Sequence, residues 1–409
     1  MFETDKKIIR ELANRTAEIA ALPVQAEKRA LWRGLNGLSP ARPMVMIDQV
    51  CWNEMYVDDG LKLQCEDPML REWESELKKQ LYQWKYFPVD MVVDGVFYVP
   101  KAVWDTGNGI QAVVRHLKED ETGDVSSQAY ENQITSMEDV ARIKVPQIIH
   151  DKAETERRRA LAEEVFDGIM PVCMEGMKEA NIALDVWDQI SFMMGVENAC
   201  YALADKPEMM HALASRLVEI KMARLDQLEQ MDLLCGPQSL IHCTGAWNDD
   251  LPKERSAPWT TKQIWTFGLA QMFSTVSPRM FGEYEVDICM LLYERFGLLY
   301  YGCCDPLDLK MEQVRRIPNV RKVSMSPWAS KERGASEIGG DYVFSHKPNP
   351  AYLVHFDEDL IRGDIRETVQ ICKANGCPLE LILKDVSTVM YKPQNLWRWA
   401  QIAMEEACK

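Results

Sequence analysis

Short apolar runs alternate with amphipathic helical segments along most of the chain, and this alternation limits the fold more than any other feature. Eight of the runs are typical of buried strands. They are Met44–Val50, Met91–Val99, Ile182–Val186, Ser239–Cys243, Leu298–Tyr301, Lys322–Met325, Tyr342–Ser345 and Leu379–Leu383. Strands that alternate with helices form a parallel sheet, and about eight such strands close into a barrel. The sequence therefore predicts an α/β fold, a (β/α)8 TIM barrel.

The composition and charge of the chain exclude several classes of function. The chain has 409 residues, of which 47% are hydrophobic, enough for one large domain or two ordinary ones. Its formal net charge of −16 argues against binding to nucleic acid or to an anionic membrane surface. We see no signal peptide, and no apolar run is as long as a membrane span. The 12 cysteines form no tight disulfide framework, so we expect free thiols in a reducing cytoplasm.

Two regions are expected along the chain. Residues 1–42 contain apolar positions at helical spacing and end in the turn-forming sequence SPARP, which predicts an N-terminal helical extension. Residues 43–409 are expected to form the catalytic barrel, since no repeat or flexible linker divides them. Between its strands, the pattern predicts helices that include Lys152–Ala180 and Trp259–Phe273.

The stretch Val276–Leu307 combines a helix, a buried strand and two adjacent cysteines. At about 100° per residue, Glu285 lies on the apolar stripe of the helix. A carboxylate on that face must be paired, protonated or bound to a metal. One interpretation is a carboxylate bonded to a backbone N–H or an arginine, and the other is a ligand or proton carrier beside Cys303 and Cys304. Both cysteines follow the strand Leu298–Tyr301, at the end where α/β barrels carry their chemistry.

Other polar side chains follow the ends of other predicted strands. They are His242, Trp328, His346 with Lys347, and Lys384 with Asp385. Each has an ordinary alternative, such as a hydrogen-bonded interior histidine, a loop residue or a turn former. Their coincidence at one rim carries more weight, because thiolates, an imidazole and an inward carboxylate together suit zinc.

Five blocks of the sequence resemble the uroporphyrinogen decarboxylase superfamily, and the resemblance extends from about Leu31 to the end. The blocks are WRGLNGLSPARP, VSPRMFGEYEVD, YYGCCDPL, IPNVRKVSMSPWA and DYVFSHKPNPAYL. The resemblance implies a (β/α)8 barrel of uroporphyrinogen decarboxylase type. It also implies one of two activities. The first is decarboxylation of porphyrinogens. The second is zinc-dependent transfer of methyl groups to or from a corrinoid protein or a thiol.

The chain departs from both branches in informative ways. The arginine-rich block with which the decarboxylases meet substrate carboxylates has no counterpart, and the region after the first strand is acidic. In the methyltransferase branch a His-x-Cys-Gly motif binds zinc. Here Tyr301 stands where that histidine would be and Cys303 where the cysteine would be, and no cysteine stands near Lys384. The remaining candidate zinc ligands are His242, Glu285, Cys303 and Cys304, with the two cysteines as alternatives as much as partners.

The resemblance therefore predicts a demethylating methyltransferase. It would move a methyl group from a methylated or methoxylated small molecule to a corrinoid protein, with Zn²⁺ as a Lewis acid on the leaving atom. Asp385, His346 and Tyr301 are the candidate catalytic residues, with Asp385 or His346 as the proton donor. Trp328 and Lys347 are the candidate cofactor-binding residues. A homodimer stays open, as do two other functions: a cofactor-free decarboxylase and a non-catalytic binding barrel.

Overall fold

The computed structural model describes residues 2–116, 128–177, 182–255 and 257–409. Its strands are β1 Met44–Ile47, β2 Phe97–Pro100, β3 Val103–Asp105, β4 Val114–His116, β5 Gln128–Tyr130, β6 Ile148–His150, β7 Val172–Glu175, β8 Leu240–Ile241, β9 Thr244–Gly245, β10 Trp265–Gly268, β11 Leu298–Tyr301, β12 Val320–Met325, β13 Val343–His346 and β14 Leu379–Leu383.

The helices lie before, between and after these strands. They are α1 Phe2–Ala20, α2 Pro23–Asn36, α3 Pro68–Tyr86, α4 Met137–Ala141, α5 Lys152–Phe166, α6 Val186–Met194, α7 Val196–Asp205, α8 Pro207–Gln230, α9 Pro278–Met280, α10 Asp287–Tyr293, α11 Met311–Val314, α12 Lys331–Ile338, α13 Glu358–Ala374 and α14 Pro393–Ala407. A π-helical turn, Phe281–Val286, joins α9 to α10. In the part of the chain that the structure describes, none of the helices has the length and apolar character needed to cross a bilayer.

A six-stranded parallel sheet organises the fold. Its strand order is β1-β14-β13-β12-β11-β10, and every neighbouring pair is parallel. The predicted α/β class with a parallel sheet is therefore confirmed. Strands β2 and β7 form a separate parallel pair, whereas β3–β6, β4–β5 and β8–β9 are antiparallel.

The predicted closure into eight strands is not found among the described residues. Beside β10, the predicted strand Ile182–Val186 makes one bridge, from Leu184 to Gly268, before α6 begins. On the β1 edge, Asp90 N–H donates to the Val45 carbonyl at 2.8 Å, but no ladder follows. To the six-stranded sheet, the chain between β1 and β10 thus contributes one bridge and one hydrogen bond where the prediction requires full strands.

Two predicted helices are wrong in part. Trp259–Phe273 was expected to be helical but contains β10, whose aromatic and β-branched residues favour a strand. The helix predicted over Lys152–Ala180 ends at Phe166 and is followed by β7. The last residues of that prediction, 178–180, lie outside the described residues.

The sheet separates two apolar clusters. One face packs against the helices, and the other face holds an interior cluster that includes Met44, Trp265, Tyr300 and Ile382. Trp32 of α2 belongs to the interior cluster and packs against residues that begin several strands, so α2 covers the N-terminal end of the sheet. The division of the chain at residue 42 stays a prediction.

A buried ion pair lies near Trp32 at the same end of the sheet. Lys322 Nζ is 2.7 Å from Glu380 Oε2, and both side chains are fully buried. Thr244 Oγ1 donates to the same carboxylate at 2.7 Å. With its N-terminal end filled in this way, the sheet leaves its C-terminal edge for a functional site.

Candidate active site at the C-terminal edge of the sheet

Parallel strands bring several reactive side chains to one edge. Cys303 and Cys304 follow β11, Lys347 follows β13, and Lys384 with Asp385 follows β14. Because all these strands run in the same direction, the residues that follow them meet at the C-terminal edge. The rim predicted from the sequence is therefore present.

The thiol of Cys303 is the centre of the cluster. Its Sγ accepts a hydrogen bond from Lys384 Nζ at 2.8 Å, and both side chains are buried. Its Sγ also lies 3.6 Å from the Sγ of Cys304. The hydrogen bond with Cys304 is the largest cause that lowers the pKa of Cys303, and His242 and Lys384 add to it, so that together they overcome the opposite effect of burial. The geometry therefore favours a Cys303 thiolate at neutral pH.

The neighbouring groups respond to that thiolate. The hydrogen bond to Cys303 raises the pKa of Cys304, and burial adds to the rise, so Cys304 stays a thiol. Burial lowers the pKa of Lys384, but the adjacent thiols, Cys303 first, outweigh it and raise the pKa overall. The cluster therefore holds an ammonium–thiolate pair with a thiol as a second donor.

His242 lies against this pair in a constrained position. Its backbone φ is +52°, a left-handed conformation that costs a non-glycine residue free energy. Its ring stacks on Phe267 at 4.6 Å between centroids and lies 5.3 Å from Tyr300. Its Nε2 is buried and has no hydrogen-bond partner among the described residues. The strand predicted at Ser239–Cys243 is only the short hairpin of β8 and β9, and the turn of this hairpin presents His242.

Two carboxylates lie on the same rim. Asp385 Oδ2 is 3.2 Å from Cys304 Sγ and 3.5 Å from Lys384 Nζ, and Asp385 is about half exposed. Asp48, which follows β1, was not singled out from the sequence. Burial raises the pKa of Asp48, while the nearby His242 and Lys384 oppose the rise. Its charge inside the mostly apolar predicted strand Met44–Val50 was the signal that could have identified it.

Asp48 connects the cluster to a cavity of about 570 Å³. The cavity wall also includes Met46 and Trp52, which lie in or just after β1, and Trp247, whose backbone carbonyl is bonded to Asn36 of α2 at the other end of the sheet. The side chains of Cys303 and Cys304 do not line this cavity. Asp48 faces it and lies close enough to His242 and Lys384 for their charges to act on its carboxyl group. A small molecule in the cavity would therefore lie beside the cluster.

Lys347, one of the two candidate cofactor-binding residues, points into the interior. Its Nζ donates to Ser345 Oγ at 2.7 Å and to the Tyr300 hydroxyl, and the residue is 2% exposed. Trp328, the other candidate cofactor-binding residue, is 73% exposed at the surface after β12. Its indole therefore lies in solvent and not inside the cluster.

Tyr301 and Glu285 lie on the helix side of β11. Tyr301 packs with Phe281 and Tyr293, whereas its neighbour Tyr300 belongs to the interior cluster. The Tyr301 hydroxyl donates to Glu285 Oε1 at 3.0 Å, the Tyr293 hydroxyl donates to the same oxygen, and Cys289 Sγ is 3.5 Å from Oε2. Burial raises the pKa of Glu285 to about 8, although these hydrogen bonds lower it. Glu285 is thus a buried, protonated acid that is bonded to phenols.

His346 also differs from its predicted role as a proton donor. Strand alternation directs it away from the interior side that Ser345 and Lys347 occupy, and it packs near Phe344. Neither ring nitrogen has a hydrogen-bond partner among the described residues. Burial lowers the pKa of His346 to about 3, and the charges of Lys331 and Lys347 add to this effect. The imidazole is therefore neutral near pH 7 and has no proton to give.

The residues present do not fit the predicted zinc site. Over residues 2–116, 128–177, 182–255 and 257–409, no three His, Cys, Asp or Glu side chains are arranged to hold a metal ion. Glu285 is engaged by tyrosines on the helix side of β11, away from Cys303 in the interior cluster. His242, Cys303 and Cys304 are left as neighbours without a fourth protein ligand in place.

Comparison with known proteins shows the fold. No protein-family model matches the chain, and no curated protein matches it. Solved structures do match, and one is a methyltransferase from Methanosarcina mazei. The alignment covers 92% of this chain and 97% of that one, with a TM-score of 0.51 and 12% sequence identity. At that identity, the likeness is one of architecture over almost the whole chain.

Proposed function

We propose that this chain is a methyltransferase that takes a methyl group from a methylated or methoxylated small molecule and passes it to a separate corrinoid protein. The observation that carries the proposal is the Cys303–Lys384 pair at the C-terminal edge of the sheet, beside a cavity of about 570 Å³. The fold shared with a solved methyltransferase supports the same class of reaction.

The cluster suits a reaction in which charge moves between donor and acceptor. Methyl transfer is a displacement at carbon, in which the incoming atom supplies an electron pair and the leaving atom keeps one. The Lys384 ammonium, buried and already held by its hydrogen bond to Cys303, is placed to stabilise negative charge that develops nearby. The Cys303 thiolate holds Lys384 in position and is itself a nucleophile of the kind that exchanges methyl groups.

The corrinoid partner and the proton source belong to the proposal, whereas zinc and a homodimer do not enter it. The corrinoid protein would dock over the C-terminal edge, where Asp385 and the Cys304 thiol are the more accessible members of the cluster. Asp385 stays a proposed proton source for the leaving group, and it lies on the rim 3.5 Å from Lys384. Zinc and a homodimer stay predictions, and no step of the proposal passes through zinc. Metal analysis of the purified protein tests the zinc prediction separately.

A donor screen tests the proposed function. The protein is incubated with cob(I)alamin and with methyl ethers, thioethers, methylamines and quaternary ammonium compounds, and methylation is followed by the cobalt absorbance. We expect one donor class to form methylcobalamin, and we expect Cys303→Ala to abolish the reaction. Cys408→Ala is the control, because this cysteine is exposed near the C-terminus.

Two results would contradict the proposal. One is the absence of methylcobalamin with every donor class, while the protein is folded by circular dichroism. The other is decarboxylation of uroporphyrinogen by the pure protein, which would assign the alternative activity. Full activity in Cys303→Ala would preserve the methyltransferase class and reject this site.

A further inference from the structure

The wall of the cavity beside the cluster carries more negative than positive side chains. Its wall carries one ammonium group, that of Lys79, and four carboxylates. The carboxylates are Asp48, Glu76, Asp94 and Glu175. Since none of the described residues that line the cavity is an arginine, the field inside it favours a cation and disfavours an anion.

Asp48 is the carboxylate of the wall that lies next to the cluster. It is partly buried, and it takes part in no ion pair within the described residues. By contrast, Asp94 accepts a hydrogen bond from Tyr98 at 2.8 Å and lies 3.8 Å from Arg29. The charge of Lys384 reaches Asp48 without forming an ion pair with it, so a cation that enters the cavity would stabilise this partly buried carboxylate further.

Aromatic side chains complete the wall. Trp52, Tyr98 and Trp247 all line the cavity. The Nζ of Lys79 already lies 5.5 Å from the centroid of the Trp52 ring, so this wall holds one cation on an aromatic face. Trp247 has no such partner in the part of the chain that is described. Flat aromatic faces combined with carboxylates are the surface that recognises methylated ammonium groups.

We infer that the cavity binds a methylated ammonium compound, with the carboxylates of the wall, Asp48 among them, and the aromatic faces of the wall around its cationic group. The inference rests on the proposed function, for which it names the class of methyl donor. The transfer balances without a proton donor. The carbon–nitrogen bond breaks, the amine leaves as a neutral molecule with the electron pair of that bond, and cobalt(I) supplies the pair for the new carbon–cobalt bond. A neutral methyl ether could stack on Trp247 but would gain nothing from the four carboxylates.

Binding, measured without any corrinoid, tests the inference. The probes are choline and its neutral carbon isostere, 3,3-dimethylbutan-1-ol, and the measurement is isothermal titration calorimetry on the full chain. The two probes have nearly the same shape, so the difference between them reports the charge. We expect choline to bind at least about tenfold more tightly than the isostere. Equal binding of the two, or no binding of choline, overturns the inference.

Substitutions in the cavity wall test whether choline binds in this cavity. Asp48→Asn should weaken choline binding by about tenfold and leave the isostere unchanged, because the change removes charge and keeps the shape. Trp247→Leu should weaken choline binding by a similar factor. Asp249→Asn is the matched control, since Asp249 is exposed and pairs with Lys253 at 2.6 Å outside the cavity. Thermal unfolding confirms that each variant is folded, and unchanged choline binding in folded Asp48→Asn and Trp247→Leu would overturn this placement.

The binding assay and the donor screen test the two hypotheses independently of each other. Selective choline binding without methylcobalamin formation would support this inference and contradict the proposed activity. Methyl transfer from a neutral methyl ether, with no selective choline binding, would support the activity and contradict the inference.

Discussion

Glu285 allows a prediction whose size can be worked out from the structure. The carboxyl group is 1% exposed, and burial raises its pKa to about 8 from an ordinary value of 4.5. The folded protein therefore keeps a proton that the unfolded chain has already lost between these two pH values. The contribution of Glu285 to stability is fully present below pH 4.5 and is lost as the pH rises through 8.

The perturbation is Glu285→Gln, which keeps the shape of the side chain and cannot ionise. Its amide oxygen can accept from the hydroxyls of Tyr293 and Tyr301, as Glu285 Oε1 does, and its NH₂ group faces Cys289. Each pH unit in the window is worth about 1.4 kcal/mol. From about pH 5.5 to about pH 7.5, the unfolding free energy of the variant should therefore rise relative to that of the natural protein by about 2 to 3 kcal/mol.

Urea unfolding at the two pH values measures this difference. Other groups that titrate in the same range, such as Asp188, affect both proteins and largely cancel. Glu283→Gln is the matched control, because Glu283 lies in the same turn but is exposed and 3.6 Å from Arg279. A pH-independent difference between Glu285→Gln and the natural protein would refute the protonated state of Glu285.

Two further substitutions test the buried polar groups. His346→Leu should raise the unfolding free energy by about 1 kcal/mol in urea titrations, because it removes a buried imidazole whose two nitrogens lack partners; a loss of stability would show that the imidazole is bonded in solution. Lys322→Met should lower it by about 3 to 5 kcal/mol by leaving Glu380 buried without its cation, and the double variant Lys322→Met/Glu380→Leu should recover part of that loss. Equal stabilities of the single and double variants would show that burying Glu380 without Lys322 costs no stability.

Much of the sheet was predictable because its strands are short, apolar and bounded by clear turns. Strands β1, β11, β12, β13 and β14 lie within or close to their predicted ranges. Strand β10 was missed because Trp265–Gly268 is only four residues long, inside a segment that reads as helical. Closure of the barrel was not predictable from the number of apolar runs, since a run such as Ile182–Val186 makes one bridge and then turns into a helix.

The residues that follow the strands at the rim of the site were predictable from the sequence, but which of them point into the interior was not. Residues that follow parallel strands must share an edge, and this rule located Cys303 and Lys384. It cannot choose between neighbours such as Tyr300 and Tyr301, because a strand buried on both faces is apolar at every position. A shift of one residue exchanges the two faces, and this shift separates Lys347 from His346. The helical stripe predicted the burial of Glu285, whereas its tyrosine partners come from tertiary packing.

The ionisation of Cys303 is the most direct test of the candidate site. The thiolate is followed by its ultraviolet absorbance as a function of pH, as the difference between the natural protein and Cys303→Ala. We predict that this difference shows one thiolate at neutral pH, and that Lys384→Met moves its appearance to higher pH, because the ammonium 2.8 Å from the sulfur is lost. A difference that appears only near the ordinary pKa of cysteine, unchanged in Lys384→Met, would contradict the account of this site.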